Sequence, residues 1–381
     1  MLIIGGRVIL DEVDTPAAVV DLDRLERNLD RAASYAAEHR LALRPHVKTH
    51  KSLFVATAQL RHGARGLTCA TPHETQVMSV ICDDLLNAFP PVGAGRARRL
   101  MSLNSRIRLA VALDSMEAVD ILQAAATSAG RQVGVYIELD VGMRRVGLAD
   151  PARVVKLAKY VTSQRSLDFA GIALYPGHIR CTSAEQDSAL NALRTNLSLT
   201  LDALDRSGLT PPVVSAGSTP TLWRTHELPR ITEIRPGSYV YNDRTIASMG
   251  ACGWDDCAMT VLSTVVSTSV AGQAVIDAGS KALGREPMSG APEEGFGQLL
   301  EFPEVRVVRM SEEHGILDLA NTTWRPRIGE RVRVIPNHVC VAVSLFDITY
   351  GIRDELVENT WRIDARGRGQ EPIPARLSAL E

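Results

Sequence analysis

From residue 17 to about residue 240 the chain alternates apolar stretches of strand length with segments whose apolar residues recur at helical spacing. Few folds accept that rhythm. The first stretch is 17–20, and Leu22, Leu25, Leu29, Ala32 and Ala36 then mark one face of a helix ending near His39. Further strands are expected at 41–47, 66–70, 84–89, 107–113, 133–140, 169–175, 212–215 and 231–235, which makes nine, eight of them from residue 41 onward. Eight strand–helix repeats in about 200 residues have the size of a (β/α)8 barrel. A doubly wound open sheet is the competing arrangement, but no GxGxxG or Walker sequence marks a nucleotide crevice. The expected class is α/β, a TIM-type barrel.

After Tyr239 the texture changes. The segments 261–270, 274–277, 305–310, 316–319, 331–335 and 339–345 are β-rich, separated by turns and almost without helical period. An all-β second domain is therefore expected. The division drawn is 15–245 for the barrel, with 1–14 and 246–381 forming a β domain, although the strand before residue 21 can also join the latter. The stretch 284–298, rich in Gly, Pro and Glu, reads as a mobile loop, and 366–381 as a frayed tail.

A chain of 381 residues exceeds one ordinary core, which agrees with two domains. With a net charge of −2 there is no electrostatic footprint for nucleic acid or an anionic membrane. No apolar run approaches the roughly 20 residues that span a bilayer. The first residues lack the features of a signal peptide, and the six cysteines show no CxxC and no regular spacing. A cytoplasmic protein with reduced thiols is expected.

Barrel active sites lie at the C-terminal ends of the strands. The run Arg44-Pro45-His46-Val47-Lys48-Thr49-His50-Lys51 packs five basic side chains behind an apolar strand. A lysine desolvated there among other cations has its pKa pushed down, which favours the neutral amine that attacks carbonyls. A solvated basic turn is the competing explanation. The next strand ends deliver Glu138, Asp140 and Arg145, then Tyr175 and His178, then Ser215-Ala216-Gly217-Ser218-Thr219, then Gly237-Ser238-Tyr239. The last two follow the seventh and eighth strands counted from residue 41, where barrels often hold a phosphate on backbone N–H groups. A phosphorylated cofactor together with a Schiff-base lysine points to pyridoxal 5′-phosphate. Arg145 can face the ring oxygen or a substrate carboxylate, or else form a surface ion pair. Tyr175 can pack on the cofactor or simply fill a core. In the β domain, His338 and Cys340 stand two apart in an expected strand and so face one side, an imidazole–thiolate pair able to grip an ion such as zinc. A buried cysteine beside a satisfied histidine explains the same residues.

With these residues in hand, the chain resembles the D-threonine aldolase and D-serine dehydratase group of fold-type III pyridoxal phosphate enzymes, relatives of alanine racemase. The likeness runs from Asp14-Thr15-Pro16 to Trp361-Arg362-Ile363. It is carried by the run 44–51, Asp140-Val141-Gly142 with Arg145 and Gly147, Gly217-Ser218-Thr219, Gly237-Ser238-Tyr239, Glu313-His314-Gly315 and Pro336-Asn337-His338. The resemblance implies that Lys48 carries the cofactor, that Arg145 and Tyr175 sit beside it, and that a divalent ion (zinc, manganese or magnesium) binds through His338. It also implies a homodimer. Two features depart from the aldolase pattern. Aldolases carry Asp two residues after the metal-binding His, where this chain has Cys340 as D-serine dehydratases do. The position six after the tyrosine, a His in some aldolases, is Cys181, and His178 lies three after it.

The expected activity is that of a lyase on a small D-β-hydroxy amino acid, with retro-aldol cleavage to glycine and an aldehyde preferred. His178 or His50 would be the base for the hydroxyl proton. The alternative is D-serine dehydration to pyruvate and ammonia, with Lys48 removing the α-proton. A non-catalytic cofactor carrier and a racemase are more remote, since neither needs an open metal site.

Overall fold

The computed structural model describes residues 3–4, 7–288 and 290–369. Eight parallel strands form one sheet: β1 (Ala42–Leu43), β2 (Leu67–Cys69), β3 (Asp84–Asn87), β4 (Arg108–Leu113), β5 (Val133–Leu139), β6 (Leu167–Leu174), β7 (Val213–Ala216) and β8 (Glu233–Ile234). Around the sheet the order is β1-β8-β7-β6-β5-β4-β3-β2. Arg65 N donating to Leu43 O (2.8 Å) and Thr68 N to Pro45 O (2.9 Å) join β1 to β2, and the barrel closes.

The helices start where the sequence offers an oxygen to the free N–H groups of a first turn. Asp21 accepts from Arg24 N at the head of the helix Leu22–Glu38, and Ser52, Thr71, Ser115 and Asp150 do the same for the helices after β1, β2, β4 and β5. Leu22, Leu25, Leu29, Ala32 and Ala36 are all buried.

Strand periodicity sorts the barrel side chains. Leu85, Leu109, Val111, Val135, Ile137, Ile172, Leu174 and Val214 face the helices and build the main core. The alternate residues point inward: Leu86, Ala112, Tyr136 and Ala173 pack as a separate inner cluster. The rest of the interior is charged. Arg44 donates from Nε to Glu233 Oε2 (2.7 Å), from Nη1 to Asp84 Oδ1 (2.7 Å) and from Nη2 to Asp84 Oδ2 (3.1 Å). Ser215 Oγ donates to the other Glu233 oxygen at 2.7 Å. Burial opposes the charge on Arg44, yet the two carboxylates hold its pKa far above the usual arginine value.

The second sheet is mostly antiparallel. The strand Ala17–Asp21 lies inside it, antiparallel to Met259–Ser267 and parallel to Ile348–Arg353. Ala17–Val20 is buried on both faces in the second sheet and, among the described residues, pairs with no barrel strand. The segment 339–345, expected as a strand, is instead the short helix Val339–Val343. The preceding strand ends at Pro336, and the Asp243 carboxylate accepts from Val339 N (3.0 Å), turning the chain into a helical start. The expected mobile loop at 284–298 is strapped down. Arg244 donates to Glu294 O and its carboxylate (2.7 Å each), and Asn337 Nδ2 donates to Glu286 O (3.1 Å) and Gly295 O (2.7 Å). Of the tail expected at 366–381, residues from 370 on lie outside the described residues. No helix among the described residues is long and apolar enough to cross a membrane.

Replacing Arg44 by Met leaves Glu233 buried without a counter-charge and Asp84 with only the exposed Arg108 and Arg65. The variant should lose about 3–5 kcal/mol of stability, measured by urea denaturation; a loss under about 1 kcal/mol would show the barrel does not rely on this network.

Candidate active site

A cavity of about 260 Å³ opens at the C-terminal ends of the barrel strands. The basic run after β1 splits by direction. Arg44 turns into the barrel, Lys51 pairs with Glu74 (2.9 Å), and only His46 and Lys48 reach the cavity. Burial first, then the charges of Lys48 and Arg235, keep His46 well below the ordinary histidine pKa, so its ring is neutral.

Tyr175 is the platform of the site. Lys48 Nζ lies 5.5 Å and Arg145 Cζ 5.1 Å from its ring centroid, both within cation–π range. The ring lies close over Gly177, where an added Cβ would stand 2.1 Å from it. Opposite, Gly217, Ser218, Thr219, Gly237 and Ser238 line the wall. A Cβ at Gly217 would stand 2.6 Å from Arg235 O, so the loops after β7 and β8 approach this closely only with glycine there. Ser218 Oγ and Arg235 Nε are buried with no hydrogen-bond partner among the described residues. Such orphans are costly unless something polar binds them. A phosphate ester for Ser218 and a ring nitrogen or oxygen for Arg235 meet that need, and Lys48 supplies an amine for an aldehyde. The residues present fit pyridoxal phosphate.

The β domain contributes His338 at the cavity edge. Its Nδ1 is 3.3 Å from Asp243 Oδ2, which leaves Nε2 for an ion. Burial disfavours a charge on this imidazole, but the Asp243 and Cys340 contacts outweigh it and push the pKa up to about 11. Burial alone would raise the Cys340 thiol; the hydrogen bond and charge of His338 instead bring it below the usual value. Cys340 Sγ lies 3.2 Å from Thr49 Oγ1, in the turn that carries Lys48. An imidazole and a readily ionised thiol fit a zinc-like ion with positions left open. Among the described residues no third His, Cys, Asp or Glu joins them.

Four expected site residues lie elsewhere. His50 is fully buried, with Nε2 3.2 Å from Gln59 Oε1 and Nδ1 accepting from Ser52 N, and burial lowers its pKa to about 4. His178 is exposed and lies across Gly142, outside the cavity. Ser215 binds Glu233 inside the barrel, and the Tyr239 hydroxyl accepts from Gln59. Glu138 and Arg235, read from sequence only as strand-end residues without a role, line the cavity, and Asp243 was not singled out from sequence. The first two sit on the inner face at the ends of β5 and β8. Asp243 carries no local signature.

Residues 20–245 match the sequence family described as alanine racemase, N-terminal domain, and residues 258–352 the putative serine dehydratase domain. The D-threo-3-hydroxyaspartate dehydratase of Delftia sp. (strain HT23) is 33% identical over 92% of this chain and 97% of its own length. Among solved structures, the D-threonine aldolase of Filomicrobium marinum superposes with a TM-score of 0.87 at 31% identity, covering 94% of this chain and 98% of its own. A cysteine-to-alanine variant of a D-threo-3-hydroxyaspartate dehydratase, in the metal-free form, superposes with a TM-score of 0.86 at 30% identity over 96% of this chain and 100% of its own. A histidine-to-alanine variant of that dehydratase is altered two positions earlier.

Because His178 is outside the cavity, His178→Ala should change kcat/KM for the reaction of this site by no more than about threefold, the scale of an exposed substitution. Steady-state kinetics checks it, and a fall of two orders of magnitude or more would return this imidazole to the chemistry. His50→Gln should lower the melting temperature instead.

Proposed function

The chain belongs to the D-threonine aldolase and D-serine dehydratase family, built on the alanine racemase N-terminal domain, and we propose that it is a pyridoxal phosphate- and metal-dependent dehydratase of D-β-hydroxy amino acids. The products would be a keto acid and ammonia. One observation carries this reading: Lys48 shares the cavity with His338, while the two histidines expected from sequence as the base for a hydroxyl proton, His50 and His178, lie outside it. An α-proton has an acceptor here in Lys48; of the imidazoles that do line the cavity, His46 accepts from Lys48 N through Nδ1 and His338 is tied to Asp243. The His338–Cys340 pair points the same way, since its spacing is that of the histidine and cysteine altered in the dehydratase variants, one of them metal-free.

When bound, the cofactor supplies an electron sink for the α-carbon and the ion a Lewis acid for the β-oxygen. The residues of the chain would do the remaining work. Ser218, Thr219 and the glycine-bearing loops, which line the cavity, would hold the phosphate, and Tyr175 would pack against the ring. Arg145, held over Tyr175, presents a permanent charge to a carboxylate or ring oxygen. Arg235 aims its orphan Nε into the same space. Lys48 Nζ, on the platform side, would take the α-proton, which leaves with the β-hydroxyl as water. His338 and Cys340 hold the ion, and Asp243 fixes the imidazole through Nδ1.

Retro-aldol cleavage to glycine and an aldehyde is the second reading, supported by the match to the Filomicrobium aldolase over 94% of this chain. The assay that separates the two offers zinc-loaded holoprotein D-serine, D-threonine and D-threo-3-hydroxyaspartate. Keto acid with ammonia is expected. Glycine with aldehyde as the main product would overturn dehydration in favour of the aldolase. Cys340→Ala, or chelation, should lower turnover on the order of 100-fold, the scale of losing Lewis-acid assistance. Full activity after either would remove the metal role from His338 and Cys340.

A further inference from the structure

Within the barrel, Asp84 and Glu233 are each tied to Arg44, but one buried acid is left untied. Glu138 closes the inner face of β5, is 8% exposed and lines the cavity floor. Its carboxylate makes no hydrogen bond or ion pair among the described residues. The groups facing it are Lys48 and His46 after β1, Asp114 after β4, Arg145 after β5, Tyr175 after β6 and Arg235 after β8. Tyr136 lies beneath it on the same face. Burial outweighs the pull of Arg235 and Arg145 and pushes the Glu138 pKa up to about 7.

Taking the proposed function as the premise, the cavity fills with a phosphate ester, a ring oxygen and a substrate carboxylate. These anions occupy Arg145 and Arg235 and displace water, the two influences that favour an ionised Glu138. A second carboxylate among them would be repelled; a carboxylic acid would be a donor. We propose that Glu138 is a cofactor-binding residue that enters the loaded site as the neutral acid and donates a hydrogen bond to an anionic oxygen of the bound pyridoxal phosphate or amino acid. Loading then takes up one proton from solvent, which stays on the Glu138 carboxyl.

The test is to titrate apo wild type, Glu138→Gln and Glu138→Ala with pyridoxal phosphate from about pH 6 to about pH 9, following the visible band of the Schiff base. Above about pH 7 the affinity of wild type should fall relative to Glu138→Gln by roughly tenfold per pH unit, the slope for uptake of one proton. The amide needs no such proton, and the alanine variant, lacking a donor, should bind more weakly than the amide at every pH. Apo stability gives a readout free of the cofactor. With its pKa raised from 4.5 to about 7 in the fold, the carboxyl contributes stability below pH 4.5 that is lost as pH rises through 7. Glu138→Gln should therefore melt higher than wild type at about pH 8 but not at about pH 5. A Schiff-base band whose pH profile is the same in wild type and Glu138→Gln would sink this assignment alone. No band in wild type at any pH would sink the cofactor reading, and this assignment with it.

Discussion

The barrel is held shut by a guanidinium. β1 and β8 contribute only two ladder residues each, and the backbone bonds Ala42 N to Thr232 O, Arg44 N to Ile234 O and His46 N to Pro236 O (2.9 Å each) join them. Arg44 supplies what the ladder does not, reaching Glu233 on β8 and Asp84 on β3 from a single side chain. Arginine suits this place because its planar fork can serve two carboxylates at once and never loses its charge. The site depends on that lock. Four residues beyond Arg44 stands Lys48, and the chain between them has little freedom: His46 N donates to Pro236 O at 2.9 Å, and Val47 to Thr49 form a single 3-10 turn.

Charge is divided across the cavity mouth. The barrel provides cations around a tyrosine ring, together with small residues and an unsatisfied hydroxyl, a set suited to a flat phosphorylated ligand. The β domain provides an imidazole and a thiol braced by Asp243, suited to a cation. The two halves meet where Cys340 touches Thr49 and Ser238, so neither domain holds a complete site alone.

Much of this is legible in the sequence. A parallel barrel writes its outer wall as short apolar runs and its helices as a separate rhythm, and both signals are local. Of the expected site, His46, Lys48, Arg145, Tyr175, the 217–219 loop, Gly237, Ser238 and His338 line one cavity. What failed was long-range. Nothing near His50 shows that Gln59 will hold it, and nothing near Val339 shows that Asp243, 96 residues away, will start a helix there. The hairpin 348–362 also went unseen. Its turn uses Asp354 and Glu355 at φ of 46° and 62°, without the glycine or asparagine that usually marks such a turn. His338 and Cys340 come together although the strand expected to align them is a helix.

The position of Ala17–Asp21 in the middle of the second sheet has a consequence for synthesis on the ribosome. This segment is made before its partners Met259–Ser267 and Ile348–Arg353, which follow more than two hundred residues later. Until then an Ala-Ala-Val-Val ribbon, later sealed from water, stays open along both edges, the kind of template on which nascent chains cross-pair. Completion of the sheet therefore waits until Arg353 has been made, and the longer that wait, the longer the ribbon is open to mispairing.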